Sequence, residues 1–210
     1  MITLYHTTDA RSFRALWLLE EMKQPYELKS MVFPPRATTP EYLKINPTGA
    51  VPTMHDGEVT IYESAAILEY LATRYPSDGL GVASDDPAWG PWLHWLHFGE
   101  ASLTTPLATL LRYAVTEPPE RRQPAVVEDY RAFFFNRLTL VEQALQGHDY
   151  LVADRFTAAD ISVGYALMLA RFLGLRKQFP EVIQAYWTRL SQRPGFEAAK
   201  KAQEVASVAA

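Results

Sequence analysis

Residues 46–71 constrain the fold of this chain more than any other segment, because they combine a turn, a hairpin signal and a helix start. Two short strand-like runs, 53–55 and 59–62, are separated by Asp56-Gly57, a dipeptide typical of tight hairpin turns. Glu63-Ser64 then opens a run in which apolar residues recur at helical spacing. The sequence therefore predicts a β-hairpin followed directly by a helix.

The turn before this hairpin contains Val51 followed by Pro52. Proline has no backbone N–H, so within sheets it is confined to edges and bulges, and at tight turns it can follow a cis peptide bond. The hairpin brings this strand-edge backbone beside the helix start at Glu63-Ser64. We expect this corner to hold a peptide-like anion.

The N-terminal part of the chain predicts a β–α–β unit. Residues 2–5 and 26–30 are short β-rich runs, and 12–23 between them carries a wide apolar face at helical spacing. A crossover of this kind makes the two strands parallel. With the hairpin and the next helix, the order is that of a thioredoxin-like half. Three prolines within 33–40 predict an irregular surface loop.

From residue 88 onward the sequence predicts helices and no strand. Thr157 and Asp160 form a capping box, which we interpret as the structural cap of a buried helix. The predicted fold class is an α/β N-terminal thioredoxin-like domain plus an all-α C-terminal helical domain. The predicted bounds are 1–76 and 88–210, joined by a linker at 77–87. The predicted helices span 89–113, 125–147, 157–173 and 181–192, and a last helical segment starts at 193. The first of them is expected to bend or break near Pro106.

Composition excludes several classes of function. The net charge of −4 gives no sign of nucleic-acid binding. The absence of cysteine excludes a disulfide scaffold, a cysteine metal site and a cysteine nucleophile. The most apolar stretch, 163–175, is interrupted by Arg171 and is too short to span a bilayer, and the start shows no signal-peptide pattern. We expect a soluble cytoplasmic protein with no membrane partner.

The motifs NPTGAVP, Asp56 and ESAAILEYL, in this order and spacing, resemble the glutathione site of the cytosolic glutathione S-transferases. The resemblance covers essentially the whole chain, including the helical half with its capping box. It implies a detoxifying enzyme in which the glutathione thiolate attacks a small hydrophobic electrophile, within a homodimer and without a metal. Because the chain lacks cysteine, it differs from those members that form a mixed disulfide with glutathione.

The resemblance also assigns the binding residues. The backbone of Val51 would pair with the cysteinyl backbone of glutathione, and Pro52, expected to be cis, would orient it. At the γ-glutamyl end, Glu63 would bind the ammonium group, while Ser64 and the amides of the helix start would bind the carboxylate. Two basic side chains are candidates for the glycyl carboxylate: Lys44 and Arg36.

The loop between the first strand and the first helix departs from the resemblance. Serine- or threonine-type relatives carry a thiol-activating hydroxyl there, and ungapped comparison places Asp9 or Ala10 at that position. An ionised Asp9 beside the thiolate would raise the thiol pKa, which opposes catalysis. We predict Thr7, and after it Ser12, as the activating group. The alternatives are Thr8, Tyr5, the backbone amides at the start of the first helix, and the positive potential of Arg11.

Aromatic residues at the start of the helical half predict the pocket for the second substrate. Such residues suit an apolar or aromatic electrophile. Packing in an aromatic core explains Trp89 better than a pocket does, and it explains Trp92, Trp95, Phe98 and Tyr113 equally well. We expect this pocket between the 6–12 loop and the first helix of that half. His94 and His97 have no evident third ligand, so no metal site is predicted. The predicted pocket residues are Trp92, Trp95, Phe98 and Tyr113.

Two other functions fit the same sequence. One is a binding or scaffold protein that holds glutathione but activates it poorly, which the Asp9-Ala10 pair suggests. The other is a glutathione-dependent enzyme that cleaves ethers, removes halides or isomerises its substrate. These reactions differ in the pocket and not in the glutathione site, so the sequence leaves them open.

Overall fold

The computed structural model describes residues 1–75 and 79–208. The chain falls into two compact units, one formed by Met1–Gly81 with Ser191–Ala210 and the other by Val82–Leu190. The last helix therefore groups with the N-terminal unit, whereas the predicted bounds place it in the helical domain. Pro76 and the start of the predicted linker, Ser77 and Asp78, lie outside the described residues.

A mixed four-stranded sheet forms the centre of the first unit, with strand order β2-β1-β3-β4. β1 runs parallel to β2 and antiparallel to β3, which confirms the predicted crossover. The strands are β1 (Ile2–His6), β2 (Tyr26–Ser30), β3 (Thr53–Asp56) and β4 (Val59–Ile61).

The predicted hairpin is present, with its turn one residue later than the Asp56-Gly57 signal suggests. Asp56 pairs with Val59, so the two loop residues are Gly57 and Glu58. Gly57 has a φ of +60°, as the first loop position of a type II′ turn requires. The carboxylate of Asp56 instead accepts hydrogen bonds from the hydroxyls of Tyr70 and Tyr75, at 3.0 and 2.9 Å. These bonds tie the hairpin to the helix that follows it.

Helices pack around this sheet. The predicted irregular loop at 33–40 is wrong in part, because Pro35 begins a short helix at a position where its missing N–H has no intrahelical partner to lose. A 3₁₀ turn, Pro40–Lys44, follows. The helices of this unit are α1 (Phe13–Met22), α2 (Pro35–Thr38), α3 (Ser64–Arg74) and α9 (Pro194–Val208).

α9 is fastened along α1. The ring of Phe196 meets those of Trp17 and Phe13 edge-on, with centroids 4.9 and 5.5 Å apart. The guanidinium of Arg193 donates two hydrogen bonds to the carboxylate of Glu21, at 2.8 and 2.9 Å. Apolar contact and a bidentate ion pair thus hold the end of the chain on the N-terminal unit.

The second unit is helical, as predicted. Its first segment runs helically from Trp89 to Thr116, with π-helical stretches at Gly99–Thr104 and Arg112–Thr116. Gly99 is required there, because a Cβ would lie 2.4 Å from the Oγ of Ser162 in a neighbouring helix. No helix in the described ranges is both long and apolar enough to cross a membrane. Its helices are α4 (Trp89–Phe98), α5 (Thr105–Leu111), α6 (Pro124–Ala144), α7 (Ala158–Phe172) and α8 (Glu181–Ser191).

The predicted capping box is confirmed at the start of α7. The Thr157 N–H donates to Asp160 Oδ2 at 2.8 Å, and Thr157 Oγ1 accepts from the N–H of Ala159 at 3.3 Å. Asp160 Oδ1 also accepts from the Leu151 N–H at 3.1 Å and the Tyr186 hydroxyl at 2.8 Å. Complete burial raises the pKa of Asp160 to about 6 despite these donors. Asp160 therefore joins three parts of the helical unit.

Candidate functional site

A rigid turn leads into β3. The side chain of Asn46 is buried, and its Oδ1 accepts from the N–H and the hydroxyl of Thr48 at 3.0 and 2.7 Å. Asn46 Nδ2 donates to the carbonyl of Ala50 at 2.9 Å, and the Tyr42 hydroxyl donates to the same carbonyl at 2.8 Å. These side chains fix the backbone immediately before Val51. Tyr42 was not predicted, since nothing local in the sequence connects it with this turn.

The Val51-Pro52 peptide bond is cis, as expected. Pro52 is buried and Val51 is partly exposed. The ladder between β1 and β3 begins only at Thr53. Within residues 1–75 and 79–208, the N–H and carbonyl of Val51 have no hydrogen-bond partner. Val51 therefore has unpaired strand-edge groups, which pairing with an extended ligand would require.

The start of α3 forms the second part of the corner, because the β3–β4 register, with Met54 opposite Ile61, directs the chain after β4 back towards the segment before β3. Ser64 is buried, and its Oγ lies 3.3 Å from Nη1 of Arg14, which is completely buried in α1. Because a guanidinium has only donors, Ser64 Oγ accepts from Arg14 and keeps its own proton to donate. The first amides of a helix are also free to bind an anion. Arg14 was missed, although a lone arginine within the apolar run of α1 was the available signal.

Three charged side chains border the same region. Glu63 is exposed at the N-cap of α3, where its side chain makes no capping hydrogen bond. Lys44 is exposed at the end of the 3₁₀ turn before Asn46. Arg36 is exposed on α2 and lies over the turn, since a Cβ on Gly49 would fall 2.6 Å from Arg36 Cβ. Among the described residues, none of the three has an ion-pair partner.

The two predicted hydroxyls of the loop after β1 have different surroundings. Thr7 is 4% exposed, and its Oγ1 has no hydrogen-bond partner in the part of the chain that the structure describes. Ser12 is completely buried, with its Oγ 2.8 Å from His6 Nδ1 and 3.2 Å from the Thr7 N–H. Thr7 thus keeps an uncommitted hydroxyl, while that of Ser12 joins an internal network.

The protonation of His6 determines the direction of that network. Burial lowers the pKa of His6 to about 4, so the ring is neutral near pH 7. His6 Nε2 lies 3.2 Å from Gln203 Oε1, an atom that only accepts, so Nε2 carries the proton. Nδ1 then accepts a hydrogen bond from the Ser12 hydroxyl, whose other acceptor, the Thr7 carbonyl, is more distant at 3.4 Å.

The other groups considered for the thiol are distributed around this loop. The ring of Tyr5 packs against those of Tyr42 and His55, on the face of the sheet opposite to His6. Thr8 is exposed and Arg11 is partly exposed. Within the described ranges the backbone N–H groups of Thr8, which is exposed, and Ser12, which is buried, lack hydrogen-bond partners.

The predicted pocket residues divide by exposure. Trp92 and Trp95 are buried in the helical unit, as core side chains are. Phe98 and Tyr113 are partly exposed. The Phe98 ring meets Trp95 edge-on and stacks on His94, with both centroid distances 5.3 Å. Nowhere in 1–75 or 79–208 do three His, Asp or Glu side chains gather in a group able to hold a metal ion.

Comparison with known protein families gives two matches. Residues 10–74 match the family "Glutathione S-transferase, N-terminal domain", and residues 103–202 match "Glutathione S-transferase, C-terminal domain". Glutathione S-transferase 3 of Schizosaccharomyces pombe is 30% identical over 220 residues, which cover 97% of this chain and 89% of that protein.

Solved structures agree with this match. A glutathione transferase from Methylococcus capsulatus is 27% identical with a TM-score of 0.86, over 98% of this chain and all of the other. A sphingomonad glutathione S-transferase in complex with glutathione is 25% identical with a TM-score of 0.85, covering 96% and 98% of the two chains.

Proposed function

Because this chain belongs to the glutathione S-transferase family, we propose that it binds glutathione and that the bound thiolate attacks an apolar electrophile. The observation that carries this proposal is the corner formed by Val51 and Ser64. It combines open backbone groups on Val51 with a Ser64 hydroxyl whose proton Arg14 leaves free. A cytoplasmic, detoxifying homodimer remains part of the proposal and rests on the family resemblance.

Each part of the tripeptide has a proposed partner. The backbone of Val51 pairs with the cysteinyl residue in the manner of strand addition. Ser64 and the first amides of α3 bind the γ-glutamyl carboxylate, and the buried charge of Arg14 adds favourable potential. Glu63 binds the γ-glutamyl ammonium group. The glycyl carboxylate is bound by one of the two basic side chains that border the turn, Lys44 or Arg36.

Thr7 is the proposed thiol activator. A thiol with a pKa of about 8.5 is only a few per cent ionised at neutral pH, and the thiolate is the nucleophile. The buried hydroxyl of Thr7 lacks a partner among the described residues, and an unpaired buried hydroxyl is a candidate for contact with a ligand. The N–H of Ser12 is the proposed second donor. The Ser12 hydroxyl, donated to His6, would hold the loop in place.

Phe98 and Tyr113 are the proposed contacts for the electrophile, because their rings are partly exposed. Aromatic side chains favour an apolar or aromatic compound through area burial and ring stacking. Trp92 and Trp95 would support these rings from the core of the helical unit.

Calorimetric titration with glutathione and turnover with an aryl halide test the proposal. Ser64→Ala should weaken glutathione binding about tenfold to a hundredfold, since one hydrogen bond to a charged group contributes roughly 1.5–3 kcal/mol. Thr73→Ala is the matched control, because Thr73 lies on the same helix and its hydroxyl bonds, among the described residues, only to backbone carbonyls of that helix. No glutathione binding would refute the proposal. Tight binding without turnover would favour the scaffold alternative.

A further inference from the structure

The C-terminal helix α9 reaches the loop that carries Thr7. Gln203 is 1% exposed, and its Nε2 donates to Asp9 Oδ1 at 2.7 Å. Gln203 Oε1 accepts from the Asp9 N–H and from His6 Nε2, both at 3.2 Å. One amide therefore contacts the backbone and the side chain of Asp9 as well as the buried histidine. These partners are 194 and 197 residues away along the chain.

The chemistry of these groups allows one orientation of the Gln203 amide. A carboxylate only accepts and a backbone N–H only donates, so rotating the amide would oppose like dipoles at both ends. From Gln203 the hydrogen bonds continue through His6 and Ser12 to the N–H of Thr7. α9 is thus connected to the backbone of the proposed activating residue by an unbroken series of contacts.

The backbone conformation and the ion pair of Asp9 bear on its effect on the thiol. Its φ of +55° is a left-handed conformation that aspartate tolerates better than most residues. Its Oδ1 also accepts a hydrogen bond from the Lys200 ammonium at 2.8 Å. The carboxylate that opposes thiolate formation therefore has a cation of α9 against it.

We propose that Gln203 and Lys200 are positioning residues for thiol activation, which rests on the proposed function. Gln203 holds the Thr7 loop through Asp9 and His6, and Lys200 neutralises the Asp9 carboxylate so that it does not oppose the thiolate. This assigns a role to the Asp9-Ala10 departure from the family pattern: Asp9 anchors the loop to α9.

Lys200 gives the cleaner test, because its ion pair with Asp9 is exposed to solvent. The Asp9 side chain is 48% exposed and that of Lys200 is 34% exposed, and such pairs contribute little to stability. Lys200→Met should therefore fold normally. The thiol pKa of its bound glutathione should be higher by roughly half a unit to one unit. At a pH below that pKa, the thiolate fraction should therefore be about threefold to tenfold lower than in the wild type.

The thiol pKa is measured from the ultraviolet absorbance of the bound thiolate as a function of pH, together with kcat and KM. The double variant Asp9→Asn/Lys200→Met should return the pKa to the wild-type value, because the carboxylate whose charge Lys200 offsets is then gone. Lys201→Met is the matched control, an exposed lysine on the same helix. An unchanged thiol pKa in Lys200→Met, with glutathione still bound, would overturn the role of Lys200.

Gln203→Glu tests the anchor with almost no change of shape. It places a carboxylate against that of Asp9, so kcat should fall about tenfold or more while thermal unfolding shows that the protein is folded. Asp9→Asn/Gln203→Glu should recover part of the loss, because the new amide can donate across the same contact. If the wild type neither binds nor turns over glutathione, the proposed function fails. If the wild type is active and both α9 variants behave like Lys201→Met, only the positioning role fails.

Discussion

Replacing the Thr7 hydroxyl by a methyl group, Thr7→Val, tests the proposed thiol activation directly. The side chain keeps its shape and loses only the O–H, which lacks a partner among the described residues of the free protein. A hydrogen bond to a charged acceptor contributes roughly 1.5–3 kcal/mol. At 1.36 kcal/mol per unit, its loss should raise the thiol pKa of bound glutathione by about one to two units. At a pH below the wild-type thiol pKa, turnover should then fall about tenfold to a hundredfold.

The free protein should respond in the opposite direction. Burying an unpaired hydroxyl is unfavourable, so Thr7→Val should unfold at an equal or higher temperature than the wild type. The gain in the free energy of unfolding should be at most about 1 kcal/mol. A pH titration of the bound thiolate and thermal denaturation without ligand measure the two effects. Thr7→Ser is the control, because it retains the hydroxyl and should keep most of the activity.

Two results would refute this reasoning. An unchanged thiol pKa in Thr7→Val would transfer activation to the backbone amides, of which those of Thr8 and Ser12 lack acceptors among the described residues. A clear loss of stability in the free protein would mean that the Thr7 hydroxyl has a partner in solution. The premise that the Thr7 hydroxyl is unpaired until glutathione binds would then be wrong.

Two further predictions concern Asp160 and Glu63. Asp160→Ala should lower the free energy of unfolding by about 3–5 kcal/mol in denaturant titrations, because it leaves the buried donors of Leu151 and Tyr186 unpaired. The folded pKa of Asp160, about 6, exceeds the unfolded value of about 3.9. The wild type should therefore gain stability relative to Asp160→Asn as the pH falls from about 6 to about 3.9. A difference in the free energy of unfolding that stays constant over this range would contradict the raised pKa. Glu63→Gln should raise the KM for glutathione several-fold and leave kcat unchanged, since its proposed contact lies far from the sulfur; steady-state kinetics that show a fall in kcat alone would exclude this role.

Features that depend on neighbouring residues were predictable from the sequence. Gly57 allows the positive φ of the hairpin turn, and Thr157 with Asp160 supplies both bonds of the capping box. The parallel β–α–β unit follows from alternating strand and helix patterns. The family motif added the cis bond before Pro52. In each case the partners lie within a few residues, so local chemistry is sufficient.

The candidate site was predicted only in part, because its side chains receive their roles from distant partners. Thr7 and Ser12 look alike in the sequence, which does not show that the Ser12 hydroxyl donates its hydrogen bond to His6. Likewise, an aromatic run at helical spacing does not reveal that Trp92 is buried while Phe98 is partly exposed.

The sequence by itself determined the two-part fold, the hairpin corner at Val51 and the helix start at Ser64. Only the tertiary structure decided what surrounds that corner. Arg14 lies 50 residues from Ser64, and Gln203 lies 194 residues from Asp9. Contacts over such separations exist only after the helices have packed on the sheet, and they determine which hydroxyl is uncommitted and which carboxylate has a cation against it.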